Sequence, residues 1–237
     1  KPPRSPETAI LVFAKAPVAG TVKTRMQPPL SDAECLTLHK ALLRHALAKA
    51  GSLNKADTST VLYLTCNLAE AQRYSLDLAL APEFRIETQV GRDLGERLVN
   101  ALQKQFDEGF KKVIFIGTDT PLLSSKEIED AAEELSHHDV VIGPAVDGGY
   151  YLIGFSVSIT AILKGIDWGS SCVYRQTVDL MQLHGVRWKP LAVGADVDTF
   201  ENLRELRKVI EAFPSLAECR EGKELYEVLN ALLTRHG

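Results

Sequence analysis

The sequence predicts an α/β domain built on a mostly parallel, doubly wound sheet. Three observations point there. Short β-rich runs alternate with longer helical patterns along the whole chain, the first such run (Thr8 to Ala14, TAILVFA) is almost continuously apolar, and the 237 residues contain no repeat, low-complexity stretch or interdomain linker. Alternation of this kind implies parallel strands joined by crossover helices. An unbroken apolar run marks a strand covered on both faces. One domain over residues 8–237, preceded by a flexible tail over 1–7, is the economical division. A chain of this length removes roughly 70% or more of its unfolded surface from water, so its core needs neither disulfides nor a structural metal.

The elements follow in order. After the strand at Thr8 to Ala14, Ser31-Asp32-Ala33-Glu34 carries a capping-box signature that opens a helix running to about Ala50. Ser59 to Cys66 reads as a second strand and Ala69 to Ala81 as the helix after it. Phe84 to Gln89 is a third strand and Leu94 to Glu108 its helix. Val113 to Gly117 is a fourth strand, with Ser124 and Glu127 capping another helix. Val140 to Gly143 and Tyr151 to Phe155 continue the strands, and helices are expected over Ser171 to Leu183, Phe200 to Ala212 and Gly222 to Arg235. Leu225, Val228, Leu229 and Leu232 recur at helical spacing, so the last helix packs on the core or on a second subunit of a homodimer.

Composition narrows the function. Lys and Arg number 27 against 31 Asp and Glu, a net charge of -4, with 45% hydrophobic and 24% charged residues: the profile of a soluble globular protein. That balance gives no footprint for nucleic acid or an anionic membrane. No apolar run approaches the ~20 residues that span a bilayer. Lys1-Pro2-Pro3-Arg4-Ser5-Pro6 lacks the apolar core of a signal peptide, although a chain that does not begin with Met leaves a removed leader open. Cys35, Cys66, Cys172 and Cys219 lie far apart with no zinc spacing, which fits a reducing cytoplasm. His39, His45, His137 and His138 read as packing or surface residues, and Trp188 alone makes no stacking platform.

In doubly wound sheets ligands sit outside the carboxyl ends of the strands, and four segments meet that test. Lys15 to Met26 places Lys15, Lys23 and Arg25 with Gly20 and Thr24 in one loop after the first strand, a composition suited to phosphates. It is not a P-loop, because Val22 stands where Gly would precede Lys-Thr. Gly117-Thr118-Asp119-Thr120-Pro121 delivers Asp119 at the end of the fourth strand, as a metal-binding carboxylate or as a turn residue. Gly143 to Tyr151 carries Asp147-Gly148-Gly149, where Asp147 either acts on a hydroxyl or merely forms a hairpin turn. Asp196-Val197-Asp198-Thr199 offers two carboxylates at i and i+2, completing a metal site or capping the next helix.

Together these segments resemble a family. Lys15-x-Pro17 with Gly20-x-Val22-Lys23-Thr24-Arg25, then Asp93-Leu94-Gly95-Glu96-Arg97, Asp119-x-Pro121, Gly143 to Tyr151, Ile166-Asp167-Trp168-Gly169 and a late Asp-x-Asp-Thr are similar to the GT-A-type nucleotide-diphospho-sugar transferase superfamily. The match is to its bacterial glycosyltransferase-like branch, related to molybdenum-cofactor and phospholactate guanylyltransferases. The resemblance covers about residues 8 to 210. It implies a single-domain, Rossmann-like GT-A fold with a nucleotide half, an acceptor half, and Mg²⁺ or Mn²⁺ at the diphosphate. Residue by residue, it implies that Lys15, Lys23 and Arg25 contact phosphates and that Asp93 and Gly95 lie by the base or ribose. It further implies that Asp119 and Asp198 hold the metal, and that Asp147 and the Trp168 loop face the acceptor. The chain departs from the pattern where Ala16, Pro17 and Val18 replace a glycine-rich first loop, and where Asp-Thr-Pro replaces Asp-x-Asp.

The expected function is therefore a metal-dependent transferase acting on an activated nucleotide. Glycosyl transfer from a nucleotide sugar to a small acceptor comes first. Nucleotidyl transfer from an NTP to a phosphorylated small molecule, with pyrophosphate release, is the alternative. A nucleotide-binding regulator without chemistry is the third reading.

Overall fold

Period-two alternation along the first strand, β1 (Thr8–Ala14), decides the layering. Ile10, Val12 and Ala14 enter one buried cluster while Ala9 and Leu11 enter another on the opposite face. A strand apolar on both faces must be covered on both. The computed structural model describes residues 7–55, 57–78 and 84–237 and supplies that cover. On one face lie α1 (Asp32–Gly51), α2 (Leu68–Asp77) and α4 (Ser125–Glu134), and on the other α3 (Leu94–Asp107) and α5 (Val173–Leu183). Helices α6 (Phe200–Ala212) and α7 (Arg220–His236) form an outer layer whose Leu203, Leu206, Leu225 and Leu229 pack with Leu38 and Leu42 of α1. The apolar stripe of α7 is thus buried within its own chain.

The remaining strands are β2 (Thr58–Leu64), β3 (Arg85–Thr88), β4 (Lys112–Ile116), β5 (Val140–Pro144), β6 (Tyr150–Phe155) and β7 (Trp188–Pro190). They form one seven-stranded sheet in the order β3-β2-β1-β4-β6-β5-β7. The chain winds outward from β1 through β2 to β3, then returns to place β4 on the other side of β1, all four strands parallel. The winding reverses between β1 and β4, and in such sheets the crevice above that point is where ligands bind. Strand β6 pairs antiparallel with both β4 and β5. Because it runs backwards, its first residue lies at the edge where β1 and β4 end, and the turn between β5 and β6 joins the same rim.

Expected and observed elements agree in kind and order, with corrections at the ends. The second strand stops at Leu64 rather than Cys66, and the helix expected to Ala81 runs to Asp77, its last expected residues lying outside the described ones. Most of the expected 1–7 tail also lies outside them. Helix α5 begins at Val173 rather than Ser171, and α7 begins at Arg220. Strict alternation fails between β5 and β6, which are joined by a turn instead of a helix, and again at the end, where α7 follows α6 with no strand between. Among the described residues no helix is long and apolar enough to cross a membrane.

That turn is tightly specified. Gly148 has φ +90°, its N–H donates to the Ala145 carbonyl (3.1 Å), its carbonyl accepts from Tyr174 N–H (2.9 Å), and a Cβ there would collide with the Ser171 backbone. Gly148→Ala combines a disfavoured dihedral with overpacking, so it should lower unfolding free energy by about 1–3 kcal/mol. Urea denaturation of the purified variant measures this, and an unchanged midpoint would contradict the packing described.

Candidate active site

The loop after β1 is anchored before it becomes basic. Ala16 N–H donates to Thr65 Oγ1 (3.0 Å) beyond the end of β2, and the buried His39 of α1 places Nε2 3.0 Å from the Lys15 carbonyl. Burial lowers the His39 pKa, which keeps the ring neutral and fit to donate through Nε2–H. The chain then turns into a short 3-10 segment, Thr24–Met26, through Lys23 at φ 51°. A long side chain in the left-handed region is strained, and Lys23 is the only such non-glycine residue among those described.

That backbone turns the Lys23 side chain inward. Its Nζ lies 2.7 Å from Asp119 Oδ1, 3.4 Å from Asp198 Oδ1 and 2.6 Å from the Val197 carbonyl, with the side chain 4% exposed. All three ammonium hydrogens have an oxygen to meet. Asp119 follows β4, and its carbonyl accepts from Val197 N–H (2.7 Å), so the late loop is tied to the β4 end by backbone as well as by Lys23. Arg25 reaches the same loop through Nη1, 3.3 Å from Asp198 Oδ2, with its side chain largely exposed to the cleft. Asp196, which the sequence paired with Asp198, accepts from Thr120 Oγ1 (2.7 Å). Burial, reinforced by Asp147, Asp119 and Asp198, pushes its pKa up to about 6 against the Thr120 hydrogen bond.

The Asp119-Thr120-Pro121 turn is held from behind. His45 Nε2 (3.2 Å) and Lys49 Nζ, both on α1, converge on the Pro121 carbonyl. Burial and then the Lys49 charge lower the His45 pKa to about 4, and burial brings Lys49 to about 8. His45 Nδ1 is buried without a partner, as fits a neutral ring protonated on Nε2.

Above the β1–β4 switch point these residues enclose a cleft of about 560 Å³ lined by Lys15, Lys23, Thr24, Arg25, Asp119 and Asp198, among others. A second pocket of about 380 Å³, sharing Arg25, Leu94 and Gly169 with the first, is lined by Asp147, Tyr150, Trp168, Ser170 and Ser171. The sequence-named residues divide accordingly. Lys15, Lys23, Thr24, Arg25, Asp119 and Asp198 meet in one cleft, and Asp147 faces the adjoining one. Three do not line either. Gly20 sits in the turn before Lys23, opposite the Asp32 carboxylate. Asp93, expected beside the base or ribose, caps α3 by accepting from Glu96 N–H (2.8 Å). Gly95 is buried where a Cβ would strike the Trp168 indole.

Sequence reasoning gave no role to Thr65 and Gln89, nor to Arg97 beyond its place in the Asp93–Arg97 motif, and all three line the cleft. Gln89 follows β3, and its amide nitrogen donates to the Ala14 and Tyr63 carbonyls (3.0 Å each), which leaves Oε1 as the free acceptor of a side chain that lines the cleft. Thr65 and Gln89 stand just after β2 and β3, but the expected strands ran on to Cys66 and Gln89, so the positional rule that found Asp119 counted both residues as strand.

Residues 52–170 match the sequence family described as uncharacterized protein conserved in bacteria (DUF2064). The chain belongs to this family. It is 31% identical to a structure from Desulfovibrio desulfuricans G20 described as a nucleotide-diphospho-sugar transferase, with a TM-score of 0.87 and 98% of each chain covered. It is 28% identical over 193 residues to 2-phospho-L-lactate guanylyltransferase of Methanothermobacter thermautotrophicus, 78% of each sequence. The manganese complex of Rv0371c from Mycobacterium tuberculosis H37Rv shares the fold at 17% identity, with a TM-score of 0.51 over 86% of this chain and 98% of that one. The chain is accordingly a transferase of the nucleotide-diphospho-sugar transferase superfamily, with the Rossmann-like single domain that the motifs imply.

The support behind Asp119 should be visible in acid. Unfolded, His45 takes a proton near 6.5; folded, only near 4, so its contribution is complete above pH 6.5 and is lost as pH falls toward 4. Two to three pKa units correspond to about 3 kcal/mol. Between pH 7.5 and 4.5, His45→Gln should therefore lose about 2 kcal/mol less stability than the parent in urea melts. Equal acid losses in the two proteins would show that His45 is not held neutral.

Proposed function

We propose that the cleft binds a nucleoside triphosphate with a divalent cation and transfers its nucleotidyl group to a small, phosphorylated acceptor, releasing pyrophosphate. The carrying observation is the convergence of Lys23 and Arg25 from the first loop with Asp119 and Asp198 at the β1–β4 switch point. Lys15 and Arg25 turn cations to the cleft, and together with Lys23 and a divalent ion they would offset much of the charge of a triphosphate and its departing pyrophosphate. We rank this reading ahead of glycosyl transfer, with the single strand-end carboxylate and the similarity to a guanylyltransferase as its support.

The donor set fits Mg²⁺ or Mn²⁺. Asp119 and Asp198 aim carboxylate oxygens at one cation position, where Lys23 Nζ stands within 3.4 Å of both. Among the described residues no third His, Cys, Asp or Glu completes a cluster. One or two carboxylates with phosphate oxygens and water are the usual Mg²⁺ shell. Bound there, the ion would neutralise charge gathering on the phosphates.

The chain's own residues supply the rest. Arg25 and Lys15 orient the phosphates, and Gln89 Oε1 offers an acceptor to N–H groups of the base. Asp147, across the shared rim, faces the acceptor with Ser170 and Ser171 as further polar contacts; an ionised phosphate oxygen needs no base, whereas an attacking hydroxyl would give its proton to this carboxylate. Glycosyl transfer from a nucleotide sugar is the second reading, favoured by the polar 380 Å³ pocket with Trp168 on its wall, ample for a sugar.

Thermal-shift titration of NTPs and nucleotide sugars with Mg²⁺ or Mn²⁺, followed by product analysis, separates the two. Triphosphate preference with pyrophosphate release on adding acceptor supports nucleotidyl transfer; preference for nucleotide sugars with nucleoside diphosphate release supports the second reading. Asp147 also has a structural duty, since its Oδ1 accepts from Gly149 N–H (2.9 Å). Asn keeps that acceptor and loses the base, so where a hydroxyl attacks, Asp147→Asn should hold donor affinity within about threefold while kcat/KM drops roughly 10² or more. Near-parental turnover would return Asp147 to turn-forming alone.

A further inference from the structure

Lys23 and a metal ion compete for one position. An ammonium 2.7 Å from Asp119 Oδ1 and 3.4 Å from Asp198 Oδ1 stands between the two carboxylates that would ligate the ion. It is also fixed by the Val197 carbonyl at 2.6 Å, sealed to 4% exposure and carried on a left-handed backbone that aims it inward. A hard dication needs carboxylate oxygens at about 2.0–2.1 Å, closer than an ammonium approaches them. Both cations cannot sit between the same oxygens. The position is also inaccessible to a bare ion unless Lys23 finds another acceptor. The other acceptors lining the cleft are neutral, Gln89 Oε1 and the hydroxyls of Thr24, Thr65 and Thr118, so none of them replaces the two carboxylates the ammonium would give up. An anionic phosphate beside Arg25 and Lys15 would be such an acceptor.

We infer that Lys23 is a latch on the metal site: its ammonium fills the cation position between Asp119 and Asp198 and yields it only when nucleotide phosphates draw the side chain away. The inference rests on the metal-nucleotide reading above and adds a binding order to it. Free divalent cation binds weakly, and the ion enters together with the nucleotide. The latch thereby keeps two carboxylates neutralised in the empty enzyme and prevents an idle metal from occupying the site without substrate. It makes Lys23 a positioning residue whose removal strengthens one binding step.

The test is Mn²⁺ alone, titrated into the full-length protein and followed by the electron paramagnetic resonance of the free ion. Lys23→Met should bind Mn²⁺ at least tenfold more tightly than the parent, because the competing charge is gone and Asp119 loses its cation while Asp198 keeps only Arg25. Lys23→Arg, which keeps the charge, should stay near the parent, a difference that general loosening of the loop would not produce. Lys23→Gln replaces the Met variant if the latter does not fold. Adding Asp119→Asn to Lys23→Met should abolish the gained affinity. Parent and Lys23→Met binding Mn²⁺ equally through Asp119 would overturn the latch and leave the metal site standing. Binding to Lys23→Met that ignores Asp119→Asn would overturn both.

Discussion

One ammonium group ties this site together. Lys23 comes from the loop after β1, Asp119 from the end of β4, and Asp198 with the Val197 carbonyl from the segment leading to α6, and all meet at its Nζ. Without that contact the first loop would have no fixed relation to the carboxylates, and the cleft would lack one wall. The interaction is more than a surface ion pair. The Lys23 side chain is 4% exposed, so taking away one partner leaves a poorly solvated charge behind.

The sheet makes the meeting affordable by doing most of the positioning first. Strands β1 and β4 are neighbours, about 4.8 Å apart, so their carboxyl ends place the basic loop and Asp119 side by side. The late loop is laid along the end of β5 by Leu191 N–H to Ile142 and Gly194 N–H to Pro144, then stitched to β4 by Val197 N–H to Asp119. Behind the β4 end, His45 and Lys49 donate to Pro121 and hold the turn against α1. Inserting β6 backwards between β4 and β5 brings Asp147 to the same rim, which is how one sheet edge serves donor and acceptor together.

What could be read from sequence follows from how local each signal is. The strand at Thr8–Ala14 and the capping boxes at Ser31/Glu34 and Ser124/Glu127 depend on residues within a few positions of each other, and all appear as expected. Asp119 was legible because an apolar run ended beside it. The partners of Lys23 were not, because Asp119, Val197 and Asp198 all lie far away in sequence, the last two by 174 and 175 residues, and composition suggested a cation open to phosphate, not one already engaged. Asp93 and Gly95 carry structural duties that were equally local. Asp-x-x-Glu before a helical pattern is a capping signal, and a glycine beside an aromatic is a packing signal, yet family resemblance drew both toward the ligand. The antiparallel insertion of β6 was hidden because an Asp-Gly-Gly turn tells that two strands pair but not where the second one goes.

A double-mutant cycle between Lys23→Met and Asp119→Asn, read in urea unfolding at neutral pH without metal or nucleotide, measures the central contact alone. Residues in direct contact show coupling of 0.5–3 kcal/mol in such cycles, and about 1 kcal/mol or more is the value this arrangement predicts. Strictly additive effects, within about 0.3 kcal/mol, would mean that Lys23 and Asp119 do not hold each other, and the site as described would have no keystone.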